Sequence, residues 1–206
     1  MKKQFGIVLL LVVCMLCGCS QKQEAQEQSA PVEESETVET VESAVAEIVI
    51  EEYGTITVEL DGTAAPQTVA NFVKLAKDGF YDGLTFHRII DGFIMQGGDP
   101  NGNGTGGSGK TIVGEFYENG SQNQLSHTRG AISMARSEEF NSASSQFFIV
   151  HQDSTDLDGK YAVFGYVSAG IEIVDAICAD AEPINDNGLI AAEKQPVITN
   201  ITIYEK

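Results

Sequence analysis

The chain has 206 residues, 42% of them apolar, and a formal net charge of −18 at pH 7. That length and composition support one substantial core and a single folded domain, with no room for a second catalytic one. The charge excludes nucleic acid as a partner, because a binder must neutralise phosphates with a basic footprint and this surface repels them.

The N-terminus carries Lys2 and Lys3, an apolar run from Phe5 to Leu16, and then Leu16-Cys17-Gly18-Cys19. About a dozen apolar residues fall short of the roughly 20 that a spanning helix needs, so the segment reads as a secretory signal peptide. The tetrad resembles the bacterial lipobox. That resemblance implies a lipoprotein signal peptide over residues 1–18 and a lipidated Cys19 as the mature N-terminus. It places the protein as a membrane-anchored lipoprotein on the extracytoplasmic face of a bacterial envelope. An ordinary signal peptide with Cys19 as a bystander and an uncleaved anchor are the alternatives. Cys14 and Cys17 leave with the signal peptide, so Cys178 alone remains in the domain and no internal disulfide is expected.

Between Ser20 and Glu47, eight glutamates stand against one lysine, with almost no aromatic or large aliphatic residues. Such a segment cannot bury enough apolar surface to offset its ordering entropy, so residues 19–46 read as a solvated, self-repelling tether. The folded domain is expected over 47–206. Loss of Lys2 and Lys3 takes the charge from −18 to −20, and setting aside the −7 of residues 20–47 leaves −13 for residues 48–206.

Residues 47–60 alternate around a turn at Tyr53-Gly54, with Ile48, Ile50, Ile56, Val58 and Leu60 marking an opening hairpin. The period then changes. Pro66 suits a first helical turn, Val69, Phe72, Val73 and Ala76 fall on one face, and Asp78-Gly79 ends the helix. Short apolar runs follow at 84–90, 93–98, 111–113, 130–135, 146–150 and 162–167. A second helix with Ile171, Val174, Ile177 and Cys178 on one side precedes a last strand near 197–204. Many short strands with two isolated helices predict a mainly β fold, a closed antiparallel barrel whose closure removes exposed edges.

Within that pattern, Phe86-His87-Arg88-Ile89-Ile90-Asp91-Gly92-Phe93-Ile94-Met95-Gln96-Gly97-Gly98-Asp99-Pro100 sets one arginine and one glutamine among large apolar residues at strand spacing. Gly104-Thr105-Gly106-Gly107, Gly130-Ala131-Ile132-Ser133-Met134-Ala135, Ser145-Gln146-Phe147-Phe148-Ile149 and Leu157-Asp158-Gly159-Lys160-Tyr161-Ala162-Val163-Phe164-Gly165 follow in order. Together these blocks resemble the cyclophilins, the peptidyl-prolyl cis/trans isomerases inhibited by cyclosporin. The resemblance spans roughly residues 47–204. It implies an eight-stranded antiparallel barrel capped by two α-helices and proline-containing polypeptides as partners. It also implies X-Pro isomerisation that assists the folding of extracytoplasmic proteins. A monomer without cofactor, metal or nucleotide is expected.

The resemblance also assigns residues. Arg88 matches the family's catalytic arginine, and Phe93, Gln96 and Phe148 complete the catalytic set. Ile94, Ala135, Arg136, Gln146, Leu157 and Tyr161 match substrate-contacting positions. Phe147 and Phe148 are adjacent on a strand and face opposite sides, so at most one lines a groove, and the family pattern gives that place to Phe148. Two positions depart from the family. Asp156 stands where many members carry a rim tryptophan that cyclosporin contacts, and Tyr161 stands where eukaryotic members usually carry histidine. Arg136 replaces a more usual asparagine.

Gly104-Thr105-Gly106-Gly107-Ser108-Gly109-Lys110-Thr111 satisfies the phosphate-loop pattern letter for letter. The residues after it are β-branched and glycine-interrupted, whereas a phosphate loop must lead into a helix whose amides face the phosphates. His87, His127 and His151 have no ligand-like spacing, and His87 reads as a packed, hydrogen-bonded residue. A different class of function, a non-catalytic chaperone or adaptor that holds proline-containing segments, stays open. The presence of Arg88 favours the enzyme.

Overall fold

The computed structural model describes residues 41–205. The expected signal peptide, Cys19 and nearly all of the expected tether lie outside the described residues. The first strand, β1 (Ser43–Ile50), buries Ala44, Ala46, Ile48 and Ile50 on one face and begins four residues before the expected domain start at 47. Ala44 and Ala46 carry too little side chain to stand out as a hydrophobic stripe, which is why the sequence pattern places them in the tether. Their cross-strand partners Leu60 and Val58, on β2 (Gly54–Asp61), make them core.

Helix α1 (Pro66–Lys77) starts at its proline and buries Val69, Phe72, Val73 and Ala76. Its first turn is capped from a distance, since the Glu115 carboxylate accepts the Gln67 and Thr68 amides at 3.0 and 2.8 Å and the Thr68 hydroxyl at 2.6 Å. A carboxylate there satisfies orphan N–H groups and sits at the positive end of the helix dipole. Phe72 then packs against Tyr81, Phe147 and Phe164, with ring centroids 5.2–5.4 Å away.

The chain continues through β3 (Thr85–Ile90), β4 (Ile94–Asp99), β5 (Ala131–Met134), β6 (Phe147–Val150), β7 (Val163–Ala169), α2 (Ile171–Asp180) and β8 (Ile198–Glu205). All eight strands join one curled antiparallel sheet in the order β3-β4-β6-β5-β7-β2-β1-β8. Helix α2 sends Val174, Ile177 and Cys178 into the same core that α1 enters.

Two expectations are corrected. The barrel is not closed by a β3–β8 ladder. The connection between α2 and β8 takes up the outer edge of β3 instead: the Ile89 amide donates to Gly188, Ile190 to His87, and Phe86 to Pro196. Single bridges Arg88–Leu189 and Thr85–Val197 mark that seam. The sheet is therefore an open, curled half-barrel whose free edge is covered by irregular backbone. The second correction is the run 111–113, which is no strand. Only Ile112 forms a bridge, to Ala143, and Val113 is 47% exposed.

The sheet has apolar residues on both faces. Alternation along β6 sends Phe147 and Ile149 into the main core and Phe148 and Val150 to the opposite, convex face. There Ile94, Ala131, Phe148, Val150 and Val163 form a second cluster, lined by Phe93, Leu157 and Tyr161 among others. It forms the floor of the site.

Candidate active site

Strand register builds the site as a row. Arg88 on β3 pairs with Gln96 on β4, Gln96 with Phe148 on β6, and Phe148 with Ser133 on β5. Directly opposed residues share a face, so four strands deliver these four side chains to the convex side in one line. The distances follow from that placement. Arg88 Nη1 donates to Gln96 Oε1 at 3.1 Å, Gln96 Nε2 to Gln146 Oε1 at 2.9 Å, and Gln146 Nε2 to the Gly106 carbonyl at 2.8 Å. Arg88 Nε donates to the Asn187 carbonyl at 2.8 Å, and Nη2 meets no acceptor among the described residues.

The Arg88 guanidinium is half-buried, and burial lowers its pKa while the nearby Tyr161 hydroxyl pulls it upward. It remains a cation at any physiological pH. No carboxylate forms an ion pair with it among the described residues. A cavity of about 330 Å³ opens beside it, lined by Arg88, Phe93, Ile94, Gln96, Ala135, Arg136, Phe148, Leu157 and Tyr161. A second cavity, about 280 Å³, shares Gln96, Ala135 and Arg136 and adds Gln146 and the glycine loop at 104–106. The ten residues assigned from the sequence thus line these two adjoining cavities, with Gln146 in the second alone.

The glycine loop is organised by Asp99, whose carboxylate accepts the amides of Asn101, Asn103 and Gly104 at 2.8, 3.0 and 2.6 Å. Burial pushes Asp99 up, but those three donors outweigh it and hold the acid below the usual carboxylate range. Residues 111–116 leave the loop without a helix. His87 is packed beneath it, 1% exposed, yet neither ring nitrogen has a hydrogen-bond partner among the described residues, contrary to the expectation of a bonded ring.

Beneath the apolar floor lies a group that sequence reasoning missed. The fully buried His127 ring stacks on Phe148 and places Nδ1 2.8 Å from Asp158 Oδ1 and Nε2 3.1 Å from Ser133 Oγ. Asp158 accepts the His127 amide, so Nδ1 carries the ring proton and Nε2 accepts from Ser133. Tyr161 meets Phe148 edge-on at 5.9 Å and His127 edge-on at 6.3 Å, so the three rings pack as a triangle. Asn187, the anchor of Arg88 Nε, was also missed. It acts through a carbonyl, which leaves no mark in side-chain pattern.

Chemically the arrangement offers a preorganised cationic N–H donor at the edge of an aromatic-floored cavity. Ser133 Oγ stands beside His127 Nε2, but both residues are fully buried and neither lines either cavity, so no nucleophile activated by a base faces the open site. The sequence model of the family described as "Cyclophilin type peptidyl-prolyl cis-trans isomerase/CLD" matches residues 45–204. The chain belongs to the cyclophilin family. Among curated relatives, peptidyl-prolyl cis-trans isomerase B of Bacillus subtilis is 51% identical over 123 residues, 60% of this chain and 82% of that protein. An isomerase of Helicobacter pylori is 47% identical over 126 residues, 60% of this chain and 74% of its own length. A Cryptosporidium parvum cyclophilin-type isomerase crystallised in the presence of the dipeptide Ala-Pro superposes with a TM-score of 0.68 at 31% identity. That match covers 79% of this chain and 99% of the other. This cyclophilin is a peptidyl-prolyl cis-trans isomerase.

Proposed function

We propose that the Arg88 row performs the isomerisation and that the clients are proline-containing segments of extracytoplasmic proteins, whose folding the enzyme assists. Rotation about X-Pro crosses a barrier of about 18–20 kcal/mol because the nitrogen lone pair is delocalised into the carbonyl. No covalent bond breaks. The site has only to bind the twisted amide better than either planar isomer. In the twisted form the lone pair returns to nitrogen, where Arg88 donates to it, while Phe93, Ile94, Phe148, Leu157 and Tyr161 hold the ring. Gln96 fixes the guanidinium, and Gln146, Ala135 and Arg136 contact the segment alongside. Bringing tens of seconds to milliseconds takes about four decades, or about 5.5 kcal/mol of differential stabilisation.

The observation that carries this reading is the guanidinium itself. It is fixed by a carbonyl and an amide rather than neutralised by a carboxylate, so its charge and Nη2 stay directed at a ligand. A holding protein needs the apolar floor but not that donor. A protease-coupled assay on a short proline peptide tests it: turnover in the wild type that collapses in folded Arg88→Ala supports the assignment, and retained turnover overturns it.

Membrane attachment through Cys19 rests on the lipobox and the polar spacer, and supports action outside the cytoplasm by a monomeric domain on a tether. Fractionation of cells carrying Cys19→Ser tests it. Release of the protein, or accumulation of a precursor, is expected, and native protein with an unlipidated N-terminus at another residue removes the anchor.

A further inference from the structure

The described residues hold eight Lys and Arg side chains: Lys74, Lys77, Arg88, Lys110, Arg129, Arg136, Lys160 and Lys194. Four are ion-paired, Lys74 with Asp78, Lys77 with Glu205, Arg129 with Asp175 and Lys194 with Glu182. The other four are attached around the groove. Arg88 and Arg136 line it. Lys160 offers its carbonyl to Arg136 Nε at 2.9 Å, and Lys110 offers its own to Ser144, which lines the second cavity. Among the described residues, the four cations without an ion pair thus belong to residues that line the groove or reach it through their backbone.

Arg136 is the most constrained of them. Its guanidinium carbon lies 4.9, 5.1 and 4.8 Å from the ring centroids of Phe116, Phe140 and Tyr161. Ring faces attract and immobilise a cation without neutralising it. Its N–H groups meet backbone carbonyls only, Nε at Lys160 and Nη1 at Ser137 and Glu138, and Nη2 meets nothing among the described residues. No carboxylate forms an ion pair with it among the described residues. Glu138 offers Arg136 its carbonyl, the Glu139 carbonyl accepts Ser142, and the Asp156 carbonyl accepts Lys160 Nζ.

We propose that Arg136, at the junction of the two cavities, is a specificity determinant that selects X-Pro segments carrying an Asp or Glu side chain near the proline. This deepens the isomerase reading and rests on it. Arg88 fixes the proline in the first cavity, and the neighbouring residue that reaches Arg136 meets a fixed, unpaired positive charge. A lysine at that place is repelled by Arg136 and Lys160 together.

The test is a set of end-capped proline peptides in which each of the three positions on either side of the proline is Glu, Gln or Lys. Catalysed isomerisation is read without protease by NMR exchange spectroscopy at low salt. One position is expected to give kcat/KM for Glu about fivefold above Gln, the upper end for an exposed pair, with Lys below Gln. The Glu-to-Gln ratio should fall to about one in Arg136→Gln, persist in part in Arg136→Lys, and shrink in the wild type at high ionic strength. Equal rates at every position in the wild type, or an undiminished ratio in Arg136→Gln, overturn the proposal while leaving the isomerase reading intact. No acceleration even of the Gln peptides overturns both. Should Arg136→Gln fail to fold, the wild type decides: its Arg136 Nε–H resonance should move on titration with the Glu peptide and not with the Lys peptide. An unmoved resonance overturns the assignment.

Discussion

The His127 ring lies against Phe148 at 5.9 Å and 14° between planes, so the floor of the cavity beside Arg88 rests on a buried, hydrogen-bonded imidazole. Burial holds His127 below the ordinary histidine range, against the upward pull of Asp158. Burial does the same to His87, where Asp99 opposes it and Arg88 adds to it. As pH falls below about 6.5 the unfolded chain takes up these protons before the folded one, so stability is full at neutral pH and is lost on acidification through that window. Asp158 acts lower. Burial raises it, but donors from Ser126 and His127 outweigh this, and its contribution disappears only below about pH 3.9. The unfolding free energy, and with it the melting temperature, should fall between pH 7 and 5, the free energy by up to about 1.4 kcal/mol per pH unit for each histidine. The slope should lessen in His127→Gln and lessen again in the double variant with His87→Gln. A flat profile followed by circular dichroism counts against buried neutral rings.

Arg88→Ala should leave the circular dichroism spectrum unchanged and lower kcat/KM by about 10²–10³, the scale for one preorganised donor. Arg88→Lys should recover little, because an ammonium cannot span the Asn187 carbonyl and Gln96 in one planar fork. Gln96→Ala should cost about tenfold, the worth of one orienting hydrogen bond.

Gly188 tests the covered edge of β3. Its φ is +81°, and an added Cβ would lie 2.4 Å from Ile90 Cγ1 and 2.8 Å from the Ile89 carbonyl. Gly188→Ala must therefore shift the neighbouring Asn187 carbonyl that holds Arg88. A loss of about 1–3 kcal/mol in stability is expected, with kcat/KM falling at temperatures where the variant remains folded. Urea melts beside kinetics at 25 °C separate the two effects.

Asp156 is exposed beside Leu157, which lines the cavity at Arg88. Asp156→Trp should add apolar contact and an indole donor to a cyclosporin ligand, about 1–3 kcal/mol, a gain of roughly 5- to 150-fold in affinity. Turnover of small proline peptides should change much less, because the ring is held deeper. Tight inhibition of the unmodified protein would make the indole dispensable.

Much of this was legible in the sequence because it rests on period. Helix α1 follows from Pro66 and the spacing of Val69, Phe72, Val73 and Ala76, and the opposite fates of Phe147 and Phe148 follow from alternation on one strand. What escaped has a physical reason each time. Ala44 and Ala46 are core only because Leu60 and Val58 oppose them. The covered edge of β3 is made by the amides of Phe86, Ile89 and Ile190 with backbone carbonyls, and backbone groups are the same in every residue. His127 reads as a lone histidine until register brings Ser133 and Phe148 side by side, and Arg136's three rings come from separate parts of the chain.

The anchor of Arg88 comes from a residue 99 positions further along the chain, and β1 is held between β2 and β8, the first strand beside the last. A polypeptide emerging from its N-terminus can form the opening hairpin and α1 early, but it cannot fix Arg88 or complete its sheet until almost its whole length is available. An oriented guanidinium is therefore among the last features the chain can complete: until Asn187 has been made, Arg88 Nε lacks the carbonyl that holds it.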